Sequence, residues 1–267
     1  MNYIALIRPI VAQASAIILS HFHKVHDLNF KYSSGGAQTN VDILVEKFLK
    51  KELVAALPGS GFIAEETQEK NIQKYTWIID PIDGTANFIR KLPYFCINVA
   101  LMHEQEIIAG MTVQPLSNDI FYAQKGEGFW WNEHKINLEE IDYQDRRVVF
   151  VVSDWLLRQP ELLNAIRQLC KNDQQEVKFR VNGAVALDLA LSAAGSFDAC
   201  IFQDLAVWDM APALLYFKEA GGLIIDEKGT VATMNSKRLL AGRAWVVEQV
   251  SEALGSDLVK NLKKDRK

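Results

Sequence analysis

Trp77-Ile78-Ile79-Asp80-Pro81-Ile82-Asp83-Gly84-Thr85-Ala86-Asn87-Phe88 is the stretch on which the reading of this chain turns. The apolar, β-favouring run from Tyr75 to Ile79 predicts a buried strand. Pro81 has a fixed φ and no N–H, so the strand is expected to stop there and turn, throwing Asp80 and Asp83 off the end of a rigid element. Two hard oxygen donors on so short a turn suit one cation or two neighbouring ones. Gly84 and Thr85 follow as small residues whose N–H groups could open a helix and face an anion. Asp-Pro and Asp-Gly are also ordinary turn dipeptides, so partners elsewhere in the chain must decide between the two readings.

The chain can supply such partners. Its 267 residues are enough for a substantial core, as one large domain or two lobes. Hydrophobic residues at 49% and charged ones at 23% are ordinary for a globular protein and argue against disorder. A formal charge of −4 argues against a general binder of phosphate backbones, so direct nucleic-acid binding is not expected. The basic run Lys260 to Lys267 reads as a solvated helix end. Ile4, Ile7, Val11, Ala14 and Ile18 recur at helical spacing, interrupted by Arg8 and Pro9, which predicts an amphipathic helix rather than a signal peptide or a membrane span. Three scattered cysteines (Cys96, Cys170, Cys200) suit reduced thiols in a cytoplasm and exclude a paired-cysteine zinc site.

Just upstream of the central stretch, Gly61 to Ala64 predicts a short strand ending in Glu65-Glu66. If this strand lies beside the next, Glu65 and Asp80 arrive at the same sheet edge; an exposed acid pair is otherwise a solvated turn. Thr39-Asn40-Val41-Asp42 opens a helix with Val41, Leu44, Val45 and Phe48 on one face, ended by Pro58-Gly59, and Thr39 with Asp42 reads as a capping-box variant. Lys31 to Gly36 is a loop without the Gly-Lys-Ser/Thr of a P-loop. His21, His23 and His26 suit a helix end better than a metal site, because residues two apart do not share a helix face.

Downstream, Tyr94 to Met102, Ile107 to Val113, Ile120 to Gln124 and Phe129 to Trp131 read as a meander, and Val148 to Val152 as a further buried strand. Alternation follows: a helix about 161–170, a strand 177–180, a helix about 184–194, a strand 197–202, a helix from Asp209 and a strand 223–225. Gly183-Ala184 opens its helix with small residues that let a ligand approach the backbone. Asp209 stands at a helix N-terminus and is most simply an N-cap. A meander followed by alternation predicts an α/β fold of layered sheets with helices between or outside them.

Together Glu65, Asp80, Asp83 and Asp209 are hard donors at element ends with no histidine or cysteine among them, a magnesium set rather than a zinc set. No Gly-x-Ser-x-Gly elbow offers a competing nucleophile. The sequence resembles the inositol monophosphatase family of magnesium-dependent, lithium-sensitive phosphatases in four places: Lys31 with Thr39-Asn40-Val41-Asp42, Ala64-Glu65-Glu66, the Asp80-Pro81-Ile82-Asp83-Gly84-Thr85 block, and Trp208-Asp209 with the helix to Gly221-Gly222. The resemblance implies the αβαβα sandwich of the sugar phosphatases, commonly a homodimer, with a metal and phosphate lobe over 1–145 and a substrate lobe over 146–267 of one domain. It implies one Mg²⁺ on Glu65, Asp80 and the carbonyl of Ile82, a second on Asp80, Asp83 and Asp209, and a weaker third reached from Glu65 through water. Thr85 with Asp42 would orient the attacking water, the N–H groups of Gly84 and Thr85 would bind phosphate, and Lys31 would stand near it. Gly183, Ala184 and Phe202 would face the rest of the substrate.

Three departures bear on substrate. The family usually has an acid where this chain has Gly36-Ala37. Pro212 replaces a small residue, in what is expected to be a helix's first turn, where proline is tolerated. Phe202 stands where inositol-specific members carry a glutamate. The leading expectation is a Mg²⁺-dependent phosphomonoesterase acting on a small polyol or sugar phosphate, with myo-inositol monophosphate first. Fructose 1,6-bisphosphate, a 3′-phosphoadenosine nucleotide and histidinol phosphate are alternatives within the same chemistry, and a regulatory binding protein of the same fold is the alternative outside it.

Overall fold

The structure, a computed structural model, describes residues 1–22, 24, 30–33, 36–141, 147–171 and 176–261. His23, His26, Gly35 and residues 262–267 lie outside the described residues, as does the side chain of Lys31. The first half runs α1 (Tyr3–Phe22), β1 (Phe30–Ser33), β2 (Gly36–Thr39), α2 (Asn40–Ala56), β3 (Gly61–Ala64), β4 (Lys70–Asn71), β5 (Tyr75–Asp83), α3 (Thr85–Ile89), β6 (Cys96–His103), β7 (Glu106–Gln114), β8 (Asp119–Gln124), β9 (Gly128–Trp131) and β10 (His134–Ile136). The second half runs β11 (Arg147–Val152), α4 (Asp154–Leu157), α5 (Pro160–Lys171), β12 (Glu176–Arg180), α6 (Val185–Ala193), β13 (Ala199–Gln203), α7 (Val207–Ala220), β14 (Leu223–Asp226), β15 (Arg238–Gly242) and α8 (Ala244–Asn261).

Apolar faces dictate how these elements stack. Ile4, Ile7, Val11, Ala14 and Ile18 are buried on α1, which packs with α2 against one face of an eight-stranded sheet ordered β10-β9-β8-β7-β6-β5-β3-β4. Helix α1 is long and apolar enough to cross a membrane, yet its apolar residues are part of this core. The opposite face of the sheet is covered by α6 and α7, whose other sides meet a five-stranded sheet ordered β12-β11-β13-β15-β14. Helices α5 and α8 close the far side. The result is the α/β/α/β/α layering expected, with α6 and α7 sandwiched between two sheets, which is why both are apolar nearly all round.

Strand β5 is central, pairing in parallel with β3 and antiparallel with β6. Ala64 lies opposite Ile79, so the next residues, Glu65 and Asp80, emerge together as the two runs predicted. The strand does not stop at Pro81, however. Asp80 pairs with Asn98 and Asp83 with Cys96, three steps on β5 against two on β6, so Pro81 and Ile82 sit in a β-bulge. A bulge is the one place inside a sheet that absorbs a residue without an N–H, and it bends the strand locally, which re-aims the carboxylates on either side.

Helix α7 corrects a second expectation. It begins at Val207, so Pro212 is its sixth residue and lies beyond the first turn. There proline deprives the carbonyl four residues back, that of Trp208, of its helical partner. The Asn98 Nδ2 donates to that carbonyl at 2.7 Å, while Asn98 Oδ1 accepts from the Thr112 hydroxyl at 2.6 Å. Gly110 makes room for the ring: a Cβ there would stand 2.9 Å from the Pro212 Cβ.

Asn98 thus stands in for a helix hydrogen bond inside the core. Asn98→Leu leaves the Trp208 carbonyl without a partner, and is expected to lower the unfolding free energy by about 1–3 kcal/mol, read from the urea midpoint at unchanged m. A midpoint equal to that of the wild type would show that α7 does not need this bond.

Candidate active site

The β5 bulge, the end of β3 and the start of α7 bring Glu65, Asp80, Asp83 and Asp209 within range of one another's charge. Burial pushes all four carboxyls up: Glu65 to about 8, Asp83 and Asp209 to about 7, and Asp80 well above the usual carboxylate range. Mutual repulsion adds to this, since Asp80 feels Glu65, Asp83 and Asp209 in turn. The closeness of the Glu65 and Asp80 carboxyls favours the charged form of the first and the neutral form of the second.

Each acid is aimed by the element it starts or ends. The Asp83 carboxylate caps α6, accepting the N–H groups of Val185 at 3.1 Å, Ala186 at 2.8 Å and Leu187 at 3.3 Å, and the Cys96 thiol at 3.6 Å. Asp209 reaches back to the Ala206 N–H at 2.7 Å, the half of a capping box that an alanine N-cap allows. It is the third residue of α7 rather than the N-cap itself. Asp80 differs: it is 1% exposed, and its Oδ1 has no hydrogen-bond partner among the described residues. Among the described residues, no three His, Cys, Asp or Glu side chains already surround one point as an ion's ligands would, because Asp83 and Asp209 are turned onto backbone donors.

Beside the acids stands a second group. Asp42 completes a capping box on α2, accepting the Thr39 N–H at 2.8 Å while the Thr39 hydroxyl accepts the N–H groups of Val41 and Asp42. Its other oxygen faces the Thr85 hydroxyl at 3.0 Å, and the Ile82 carbonyl is 2.9 Å from the same hydroxyl. The one proton of Thr85 is therefore shared between two acceptors, and the helix-cap reading of Asp42 and its partnership with Thr85 are both realised. Gly84, at φ +90°, precedes the single turn α3, and a Cβ on it would meet the Ala184 Cβ at 2.9 Å. Gly183 and Ala184 thus lie against this corner. Lys31 is carried on β1, opposite Gln38 of β2, the neighbour of Thr39.

Phe202 is not in this cleft. It is 2% exposed on β13 and packs in the core formed by both sheets with α6 and α7, so its ring offers no surface to a ligand. An aromatic in a strand flanked by Ile201 on the other face is accommodated by the pleat as core. Other residues at the site received no role from the sequence. Glu66, raised to about 7 chiefly by burial, accepts from Gln38 Nε2 at 2.5 Å, which ties β2 to the Glu65 turn. Asn98 on β6 and Asp188 on α6 are buried polar residues in predominantly apolar elements.

The chain matches the inositol monophosphatase family over residues 2–261. It is 36% identical over 222 residues to an inositol-1-monophosphatase of Caulobacter vibrioides, covering 81% of this chain and 86% of that one. It is 32% identical over 253 residues to the Nus factor SuhB of Xylella fastidiosa, covering 91% and 90%. Among solved structures, the extragenic suppressor protein SuhB of Bartonella henselae superposes with a TM-score of 0.84 at 26% identity over 95% of this chain and 98% of that one. A Thermotoga maritima IMPase superposes with a TM-score of 0.82 at 25% identity over 97% and 100%.

Carboxyls whose folded pKa lies above the unfolded value of about 4 hold extra protons in the folded state. Their contribution is present below about pH 4 and lost as pH rises through the folded values of about 7 to 8. In the presence of a chelator, the urea midpoint is therefore expected to fall between pH 5 and pH 8. A midpoint that rises or stays level over this window would contradict the buried acid cluster.

Proposed function

The chain belongs to the inositol monophosphatase family, and on that premise we propose that it is a Mg²⁺-dependent phosphomonoesterase acting on a small polyol or sugar phosphate. The observation that carries the reading is Asp80 Oδ1, an unpartnered carboxylate oxygen buried among three further acids. A buried carboxylate cluster without a cation is strongly unfavourable, so the arrangement fits a group that supplies positive charge. Its donors are all hard oxygens, which suits Mg²⁺ rather than zinc.

Glu65, Asp80 and the Ile82 carbonyl would hold one ion, Asp80, Asp83 and Asp209 a second, and Glu65 through water a weaker third. Bound there, Mg²⁺ would neutralise charge on a phosphate dianion and make water nucleophilic near neutral pH. The residues supply the rest. Thr85 and Asp42, already 3.0 Å apart, would orient the attacking water at the Thr85 hydroxyl, with Asp42 accepting the proton that Thr85 passes on. The N–H groups of Gly84 and Thr85 would face the phosphate, with Lys31 nearby on β1. Gly183 and Ala184 would border the leaving group. We place the enzyme in the cytoplasm as a homodimer, a setting that suits the buried free thiols of Cys96 and Cys200.

A second reading rests on the relatives named as Nus factors. Because a relative so named aligns over 91% of this chain, the net charge of −4 does not count against a regulatory role. Capture of a transcription complex by the purified chain, with no phosphatase turnover, would favour it.

Because Phe202 lies in the core and offers a substrate no acceptor, inositol 1-phosphate is expected to gain no hydrogen bond there, and so to lack the roughly 5- to 150-fold advantage that one such bond confers. Turnover of inositol 1-phosphate and glycerol 2-phosphate should need Mg²⁺, differ by less than this range, and be inhibited by lithium. Asp83→Asn keeps one oxygen for the α6 N–H groups, and should fold yet lose turnover at saturating Mg²⁺. Turnover that survives a chelator, or an Asp83→Asn variant as active as the wild type, would contradict the reading.

A further inference from the structure

Asp188 is the one acid on α6 and is buried, 1% exposed, yet no cation is among its hydrogen-bond partners. The Tyr94 hydroxyl donates to its Oδ1 at 2.5 Å and Asn182 Nδ2 donates to the same oxygen at 2.8 Å. Asn182 Nδ2 also lies 3.2 Å from the Tyr94 hydroxyl, which closes a triangle. A second tie runs parallel: Asn87 Nδ2 donates to the Tyr94 carbonyl and to the Asn182 carbonyl, each at 2.8 Å. Burial holds the Asp188 carboxyl up at about 7, and the two donors counter it. With no ion pair among the described residues, the buried carboxyl is held by these two hydrogen bonds, which in turn fix the groups that donate them.

That order has a definite place. The Asn182-Gly183-Ala184 turn is gripped on one side by Asn87 of α3 and on the other by Asp188 of α6. Gly183, at φ +80°, packs a hypothetical Cβ 3.4 Å from Asn87, and Ala184 abuts Gly84. The turn delivers the N–H groups of Val185, Ala186 and Leu187 to the Asp83 carboxylate.

We propose that Asp188, Tyr94 and Asn182 form a positioning clamp that fixes the Gly183–Ala184 turn against the Gly84–Thr85 corner, and so sets how tightly a substrate's leaving group is held. The three residues act through the turn and touch no reacting atom. The link to the leaving group rests on the phosphatase reading above; the clamp on the turn and on the α6 N–H groups does not.

Two readouts test it in the full-length chain carrying Tyr94→Phe, Asp188→Ala or Asp188→Asn. In Tyr94→Phe and Asp188→Ala, amide hydrogen exchange at residues 185–187 should speed up about tenfold, as for one lost buried hydrogen bond, while Asp188→Asn, which keeps an acceptor oxygen, stays close to wild type. With glycerol 2-phosphate at saturating Mg²⁺, the same two variants should raise KM about tenfold with kcat within about twofold, the signature of lost uniform binding. A merely structural role would lower Tm and the active fraction, and hence kcat, without moving KM. If Asp188→Ala does not fold, Tyr94→Phe decides. Unchanged exchange at 185–187 in Tyr94→Phe overturns the clamp, and faster exchange with unchanged KM overturns its link to the leaving group. If the wild type turns over no phosphate monoester, the phosphatase reading fails by itself and the exchange data still judge the clamp.

Discussion

Like charges crowded where water is scarce are the constraint from which the rest of this structure follows. Glu65, Asp80, Asp83 and Asp209 arrive from two strand ends and a helix start, and each raises the cost of ionising the others. The fold holds two of them by giving them a backbone task as well. Asp83 caps α6, Asp209 steadies the first turn of α7, and Asp42 beside them closes the capping box of α2. The carboxylates are therefore placed by the same bonds that begin the helices. Of the four, Asp80 keeps a buried oxygen with nothing to accept from among the described residues. A cation at that point would neutralise the cluster, which couples folding to metal binding in the manner of other metal centres assembled only in the native state.

Much of this was legible in the chain because it depends on short-range pattern. The apolar run before Asp80, the parallel run before Glu65 and the Thr39-x-x-Asp42 cap all read correctly, since strands and caps are written in consecutive residues. The β5 strand end did not. Proline usually ends a ladder, but β5 carries it in a bulge against β6, and only the register with that partner strand reveals it. Pro212 misled for the same reason. Its place in the second turn of α7 is permitted by an asparagine on β6 and a glycine on β7, more than a hundred residues away in sequence.

Phe202 shows the opposite failure, in which a position carried over by resemblance was given a site role although its own character is that of core. Asp188 and Asn98 were overlooked because a buried polar residue in a mostly apolar run yields no periodic signal. Their meaning lies in what faces them: Tyr94 and Asn182 for the first, the Trp208 carbonyl for the second. The joint between Gly84, Asn87 and Tyr94 on one side and Asn182 to Asp188 on the other is wholly tertiary, and no local pattern announces it.

The most direct measurement is thermal unfolding of the wild-type chain and of Asp80→Asn at pH 8, each with and without Mg²⁺. Removing one charge from the cluster relieves repulsion, so the account predicts that Asp80→Asn melts above the wild type without metal, that Mg²⁺ raises the wild-type Tm, and that the variant responds far less. A wild-type Tm indifferent to Mg²⁺, or an Asp80→Asn variant that melts lower than the wild type in chelator, would contradict it.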